Sequence, residues 1–201
     1  MIKCQVILTG RIPRPGQMRT DKEGKQFLSF GVKVPVKSNT QDQLVEISVS
    51  KQLAGAEQPF DFILDRRVIV DGVLTFRRKG DNLYLNFAAT EVDLHAGDGK
   101  EEISGTMEFR GTVGKQITER TDKKNQPFLM FSAYSAEKIG EEFAYTWVRF
   151  MQFHTGKLDW LAEKSYISAK GDLEVSLYNG RPQISCTLTE LSPQEKWSPN
   201  R

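Results

Sequence analysis

The amino-acid sequence predicts an all-β protein that consists of two tandem copies of one small five-stranded barrel. The chain has 201 residues, and its second half repeats motifs of its first half in the same order. Within each half, apolar residues mostly alternate with polar ones, which is typical of half-buried strands. Turn-forming residues separate these alternating segments at short intervals.

The repeat is clearest in the first part of each half. The runs Arg-Thr-Asp-Lys at 19–22 and Phe-Leu-Ser-Phe at 27–30 recur, the second with one substitution, 101 residues later at 120–123 and 128–131. Such self-similarity points to a duplicated unit. We therefore predict a first domain over residues 1–97, a linker rich in glycine and charge over 98–104, a second domain over 105–194 and a short flexible tail over 195–201.

Each copy is predicted to contain five strands and one short helix. The alternating apolar residues include Ile2, Cys4, Val6 and Leu8 in the first strand, and we expect Phe27, Phe30, Phe128 and Phe131 to be core residues. Helices are expected between the third and fourth strands, at about residues 59–65 and 155–164. This order of elements is that of the OB-fold, a Greek-key barrel. An SH3-like barrel, the main alternative, does not account for a helix between the third and fourth strands.

Composition excludes several classes of protein. Charged residues make up 27% and apolar residues 38% of the chain, as in ordinary folded domains. No apolar run approaches the roughly 18 residues of a membrane span, and the first residues lack a signal core, so we expect a cytoplasmic protein. The net charge is only +2, so any basic surface must be local.

Catalytic, metal and cofactor sites find little support in the sequence. The histidines are His95 and His154, and neither a Gly-rich phosphate loop nor a nucleophile motif is present. Cys4 and Cys186 lie in apolar-alternating segments near either end, and we expect both to be buried thiols. We therefore expect no enzyme activity, no metal site and no cofactor.

Two stretches carry a more specific signal. In the first copy, the apolar segment 5–9 leads into Gly10-Arg11 and then into a turn of Pro and Arg at 13–16. In the second copy, Trp147 and Phe153 stand six residues apart and precede Gly156-Lys157-Leu158. These stretches resemble the first and third strands of the bacterial single-stranded DNA-binding protein family. The resemblance occurs twice and covers nearly the whole chain.

The resemblance implies that bases stack on exposed rings while basic side chains contact phosphates. The candidate rings are Trp147, Phe153, Tyr145 and Tyr178 in the second copy, and Phe76 and Tyr84 in the first. The candidate cations are Arg149 and Arg181 beside the former rings, Arg77, Arg78 and Lys79 beside Phe76, and Arg11, Arg19, Lys22, Arg120 and Lys123 in the repeated motifs. We expect Trp160 to pack over the barrel end.

The two copies are expected to bind unequally. The strand at 45–49 carries no aromatic residue, and Leu44 and Val49 or Ser50 lie nearest to the places of Trp147 and Phe153. The family's acidic tail tip has no counterpart at residues 197–201, so we expect no enzyme recruitment through such a tip. Related proteins present four barrels, and we therefore expect a homodimer.

The predicted function is sequence-tolerant binding of single-stranded DNA, in association with the nucleoid. It would protect single strands in replication, repair, recombination or transfer of a mobile element. Two alternatives stay open from sequence. The barrels could instead serve as a protein-interaction module that accompanies replication without strong DNA binding, or they could prefer RNA, which uses the same stacking physics.

Overall fold

The computed structural model describes residues 1–53, 58–80 and 82–195, without the side chain of Lys79. Residues 196–201, which include most of the predicted tail, lie outside the described part. The strands of the first half are β1 (Ile2–Arg11), β2 (Gln17–Thr20), β3 (Gln26–Ser38), β4 (Gln43–Lys51), β5 (Arg67–Lys79) and β6 (Asn82–Asp93). Those of the second half are β7 (Glu102–Thr121), β8 (Pro127–Ile139), β9 (Glu142–Phe153), β10 (Tyr166–Tyr178) and β11 (Arg181–Pro193). The predicted all-β class is confirmed.

In the first half, strand pairing forms a closed ring. β1 pairs with β5, β5 with β6, β6 in parallel with β4, β4 with β3, and β3 returns to β1 where Arg11 lies opposite Lys33. The short strand β2 extends the ring by pairing with β3. We refer to this ring as the first barrel.

The second half repeats the same ring. β7 pairs with β10, β10 with β11, β11 in parallel with β9, β9 with β8, and β8 returns to β7. The single long strand β7 takes the places of both β1 and β2, because its register against β8 shifts between Val113 and Ile117. We refer to this ring as the second barrel.

Repeated glycines mark points where strands approach closely. A Cβ on Gly10 would lie 2.2 Å from the carbonyl oxygen of Lys33, and one on Gly111 would lie 2.2 Å from that of Tyr134. Gly72 and Gly171 show the same crowding and follow the register shifts in their hairpins. Because any side chain would collide with backbone at these positions, curvature of the barrels requires glycine there.

The predicted helices are wrong in extent for the first copy and wrong altogether for the second. Between β4 and β5 the described residues contain a three-residue 3-10 helix, Pro59–Asp61. Residues 155–164 form turns instead, with Leu161 N–H donating to the carbonyl of Leu158 at 3.0 Å. His154 and Lys164 have left-handed φ values of 58° and 70°, and Lys164 N–H donates to the carbonyl of Val113 at 3.0 Å. The left-handed residues at both ends and the hydrogen bond to Val113 hold this segment in turns.

The core prediction holds for Phe30 and Phe131 and is wrong for Phe27 and Phe128, which are only partly buried. Residues three apart point to opposite faces of a strand, so Phe27 and Phe30 cannot both face inward, and neither can Phe128 and Phe131. Leu28 and Leu129 occupy the core instead. Cys4 and Cys186 are free, buried thiols, as predicted, and Trp160 packs against the core.

The two barrels share a continuous sheet. β1 pairs with β7 from Ile2 opposite Phe109 to Thr9 opposite Glu102. Residues 102–104, predicted to be linker, therefore belong to a paired strand. The preceding chain is bound to the first barrel, since Arg11 Nε contacts Glu101 Oε1 at 3.0 Å and Arg67 donates to the carbonyl of Gly97. Among the described residues, no helix has the length and apolar character that crossing a membrane requires.

Candidate nucleic-acid interface

The outer face of the β8–β9 hairpin carries a row of large side chains. Successive outward pairs across the two strands are Phe128 with Phe153, Met130 with Met151, Ser132 with Arg149, Tyr134 with Trp147, Ala136 with Tyr145 and Lys138 with Phe143. We call these twelve residues the aromatic ladder. The alternate positions, such as Phe131, Val148 and Phe150, point into the core. Strand alternation therefore forces the ladder residues onto one surface.

The middle of the ladder is a cluster of three rings. The ring of Tyr134 lies 4.9 Å from that of Trp147 and 5.4 Å from that of Tyr145, centroid to centroid. A Cβ on Gly114 would lie 2.9 Å from Cζ3 of Trp147, so the indole packs directly on the backbone of β7. These contacts fix the plane of Trp147 while leaving 48% of the residue exposed.

A second pair of rings lies at one end of the ladder. The rings of Phe128 and Phe153 are 5.5 Å apart, and Arg120 of β7 lies opposite Phe128 in the sheet. Arg120 is exposed. This end therefore combines apolar rings with a positive charge on the same face.

The ladder has the dimensions and chemistry of a stacking surface. From Phe143 to Phe153 the strand rises about 34 Å, at about 3.4 Å per residue. Phe143, Tyr145, Trp147 and Phe153 are each between 43% and 57% exposed. Flat, half-exposed rings with fixed orientation can stack on planar ligands such as nucleic-acid bases.

Two arginines from different barrels lie next to Trp147. A cleft next to Trp147 is lined by Arg149 of the same strand and by Arg78 of the first barrel. Arg78 also lines the adjoining cleft with Phe143 and Tyr145. Within the described part of the chain, neither Arg78 nor Arg149 forms an ion pair with a carboxylate. Both guanidinium groups can therefore contact a phosphate.

The structure gathers some predicted site residues at the ladder and separates others from it. Tyr145, Trp147, Arg149, Phe153, Arg78 and Arg120 lie on or beside it. Arg77 lies opposite Tyr84 in the β5–β6 hairpin and lines the cleft between the barrels with Met1 and Lys138. Tyr178 and Arg181 lie opposite each other in the β10–β11 hairpin, next to Asn39 of the first barrel.

The remaining predicted residues lie elsewhere. Phe76 is 9% exposed and belongs to the core, so its ring is not available to stack on a base, and this part of the prediction is wrong. Arg11 pairs with Glu101 at the linker. Arg19 and Lys22 lie on the first barrel, and Lys123 lies in the turn before β8. The side chain of Lys79 lies outside the described residues.

The N-terminus closes part of the cleft between the barrels. The Met1 amino group donates to the carbonyl of Arg110 at 2.8 Å and to the hydroxyl of Ser135. Burial lowers the pKa of this amino group below its usual value, Glu137 acts to raise it, and Arg110 acts to lower it. The same cleft is lined by Arg77, Lys138 and Glu137, so its cationic side chains outnumber its carboxylate.

Within its described residues, the first barrel repeats one end of the ladder, where Phe27 lies opposite Arg19 as Phe128 lies opposite Arg120, and not the rest. Its β3–β4 pairs at the equivalent places are Ser29 with Ser50, Gly31 with Ser48, Lys33 with Glu46 and Pro35 with Leu44. Glu46 thus occupies the position of Trp147 and forms an ion pair with Arg14 at 2.5 Å. The sequence analysis placed Leu44 near the position of Trp147, and Val49 or Ser50 near that of Phe153. The strand pairing shows that Leu44 corresponds to Tyr145.

The sequence predicted four of the twelve ladder residues and missed eight, four of which are discussed here. Tyr134 and Phe143 were not proposed, Phe128 was assigned to the core, and Met130 was overlooked beside it. The overlooked signal was the alternation of faces within each strand. Once Phe131 and Phe150 are placed inward, alternation alone assigns Phe128, Tyr134 and Phe143 to the outer face.

Comparison with solved structures identifies the fold. The chain is similar to the wild-type single-stranded DNA-binding protein of Thermus aquaticus, with a TM-score of 0.52, 15% sequence identity, and coverage of 98% of this chain and 96% of that chain. This chain shares that fold. The predicted resemblance is thereby confirmed at the level of architecture over nearly the entire length.

Other matches are weaker. A deletion variant of the Thermus aquaticus protein has a TM-score of 0.47 at 17% identity, covering 98% of each chain. The mitochondrial single-stranded DNA-binding protein of S. cerevisiae has a TM-score of 0.36 at 15% identity, covering 46% of this chain and 96% of that chain. No family model matches the sequence, and no curated protein matches it.

Proposed function

We propose that this protein binds single-stranded DNA without sequence preference and without catalysing a reaction. The observation that carries the proposal is the aromatic ladder, a row of half-exposed rings with arginines beside it. A single strand exposes both base faces and phosphates, and every base has a face that can stack. The shared fold with the Thermus aquaticus protein, which is named for this activity, supports the same ligand.

In this proposal, Trp147 is the principal stacking residue. Its ring is oriented by Tyr134 and by the backbone at Gly114, so little side-chain entropy is lost when a base stacks on it. Arg149 and Arg78 neutralise phosphates of the same strand, and Arg120 does so near Phe153. Such phosphate contacts make the affinity fall with rising salt concentration.

The proposed biological role is protection of single strands exposed in replication, recombination or transfer of a mobile element. The protein would act as a homodimer that presents four barrels. Light scattering at micromolar concentration is expected to give twice the 22.8 kDa chain mass, and a monomer mass would contradict the dimer.

The test is a titration with a dye-labelled dT oligonucleotide, followed by fluorescence anisotropy at low and high salt. We expect the wild-type protein to bind, with weaker binding at high salt. Trp147→Ala should lose about 1 to 3 kcal/mol of binding free energy, which is the usual contribution of one stacked base.

Phe60→Ala is the matched control. Phe60 is an aromatic residue that is 74% exposed on the first barrel and lies outside the ladder. Its replacement should leave the affinity unchanged. Absence of binding by the wild-type protein at low salt would contradict the proposed function and favour a protein-interaction role for the barrels.

A further inference from the structure

Each barrel extends one hairpin onto the other barrel. The β10–β11 hairpin of the second barrel joins β3 of the first, where Ser176 lies opposite Lys37 and Leu177 opposite Ser38. In return, β5 of the first barrel contacts β9 of the second. The two hairpins occupy equivalent places in their barrels, since β10 follows β5 at a constant separation of 99 residues.

The two crossing hairpins differ in chemical character. The first barrel contributes Arg77 and Arg78 where the second has Ser176 and Leu177. Arg78 is exposed, whereas Leu177 is buried. At these two positions, the hairpin that reaches the aromatic ladder is therefore cationic, whereas the hairpin that reaches the first barrel is uncharged. The latter is fixed by strand pairing and by hydrogen bonds between Asn39 and Asn179.

Arg78 is placed along the ladder rather than at its margin. It lines the cleft that contains Trp147 and Arg149, and it lines the adjoining cleft that contains Phe143 and Tyr145. The first of these clefts has two arginines and no carboxylate in its lining. A strand stacked on the ladder would therefore have cations from both barrels beside its phosphates.

The outer face of β3 and β4 lacks these properties. Between Ser29 and Ser50 its outward pairs contain no aromatic ring. At the position of Trp147 stands Glu46, a carboxylate that is held by Arg14 and that repels phosphate. Apart from Phe27 beside Arg19 at one end, this face offers a nucleic-acid strand no ring to stack on, and its cations Arg14 and Lys33 lie beside the carboxylate of Glu46.

We propose that the two barrels form one composite strand-binding site instead of two separate sites. The second barrel supplies the rings, and the first barrel supplies a cation, Arg78, across the boundary between them. The β3–β4 face of the first barrel does not bind the strand. This inference rests on the proposed function and specifies which surfaces carry it.

The experiment compares three full-length proteins in titrations with a dT oligonucleotide over a range of salt concentrations. These are the wild type, Arg78→Ala and Lys33→Ala, and each variant removes one positive charge from the first barrel. For single strands, each phosphate contact contributes about 0.7 to the slope of log affinity against log salt. We expect Arg78→Ala to bind more weakly with a slope that is smaller by about 0.7.

Lys33→Ala is the matched control, because Lys33 is exposed on the β3–β4 face opposite Glu46. Its affinity and slope should equal those of the wild type, and Arg78→Lys should restore most of the lost slope. Equal losses in Arg78→Ala and Lys33→Ala, or a loss in Lys33→Ala alone, would overturn the composite site while leaving single-strand binding intact. Absence of binding by the wild type would instead contradict the proposed function itself.

Discussion

The position of the Trp147 ring depends on Gly114, which has no side chain. A Cβ on Gly114 would lie 2.9 Å from the indole and 3.2 Å from the carbonyl oxygen of Ser132. In Gly114→Ala the ring must therefore move away from the added methyl group, since the half-exposed indole can be displaced towards solvent and the paired backbone cannot. We expect weaker binding of a dT oligonucleotide, by less than the ~1 to 3 kcal/mol of a complete stacking contact.

Gly97→Ala is a suitable control for that measurement, because no atom lies within 4 Å of the added methyl group. Both variants should keep the far-UV circular dichroism of the wild type. If Gly114→Ala bound the oligonucleotide as tightly as the wild type, the orientation of Trp147 would not contribute to binding.

The two thiols give a pH-dependent contribution to stability. Burial raises the pKa of the Cys4 thiol to about 12, and Cys186 makes a smaller contribution. Burial also raises the pKa of the Cys186 thiol to about 12, with a smaller contribution from the charge of Asp172. In the unfolded chain these thiols ionise near pH 9, so between pH 9 and 12 the folded state binds more protons. The free energy of unfolding therefore falls as pH rises through this range.

We expect both thiols to be unreactive towards a disulfide reagent at pH 8 in the folded protein and to react at once in denaturant. The denaturation midpoint should decrease more between pH 9 and 10.5 in the wild type than in a Cys4→Ala, Cys186→Ala double variant. Rapid modification of either thiol in the folded protein would contradict their burial.

Among elements, the sequence was sufficient to predict the strands and the face on which Tyr145, Trp147, Arg149 and Phe153 lie. These residues differ by even numbers, and alternation in a strand then places them together. The same alternation would have placed Phe128 and Tyr134 of β8 outward once Phe131 was placed inward. What a single strand does not encode is the register between β8 and β9, which brings Tyr134 opposite Trp147.

The segments between the third and fourth strands show a different limit. Leu158 and Leu161 have a spacing that suits a helix, and both pack towards the core. Their backbone nevertheless follows turns, because Lys164 and Ser165 are hydrogen-bonded to Val113 of β7. Tertiary contacts outweigh local propensity in a segment this short.

Across the whole molecule, the barrels are coupled by more than a linker. β1 is paired on one side with β5 and on the other with β7, and the buried residues from Cys4 to Leu188 form one continuous cluster. Lys37 and Glu174 form an additional contact of 2.8 Å between the barrels. The pKa of Lys37 is raised by its hydrogen bond to Glu174 and, to a smaller extent, by the negative charge of Glu174.

This coupling leads us to expect a single cooperative unfolding transition for both barrels. Of the described residues, Trp147 and Trp160 lie in the second barrel, whereas far-UV circular dichroism reports the strands of both. The two signals should change at the same denaturant concentration. A fluorescence transition that is separated from the circular dichroism transition would show that the barrels unfold independently.

The most direct test of the central claim is to cross-link a dT oligonucleotide to the full-length protein with ultraviolet light and to identify the modified residues by mass spectrometry. We expect attachment within the β8–β9 hairpin, at Tyr134, Trp147 or Phe153, together with the β5–β6 hairpin of the first barrel. Cross-links concentrated in β3 and β4, with none between residues 127 and 153, would contradict binding on the aromatic ladder.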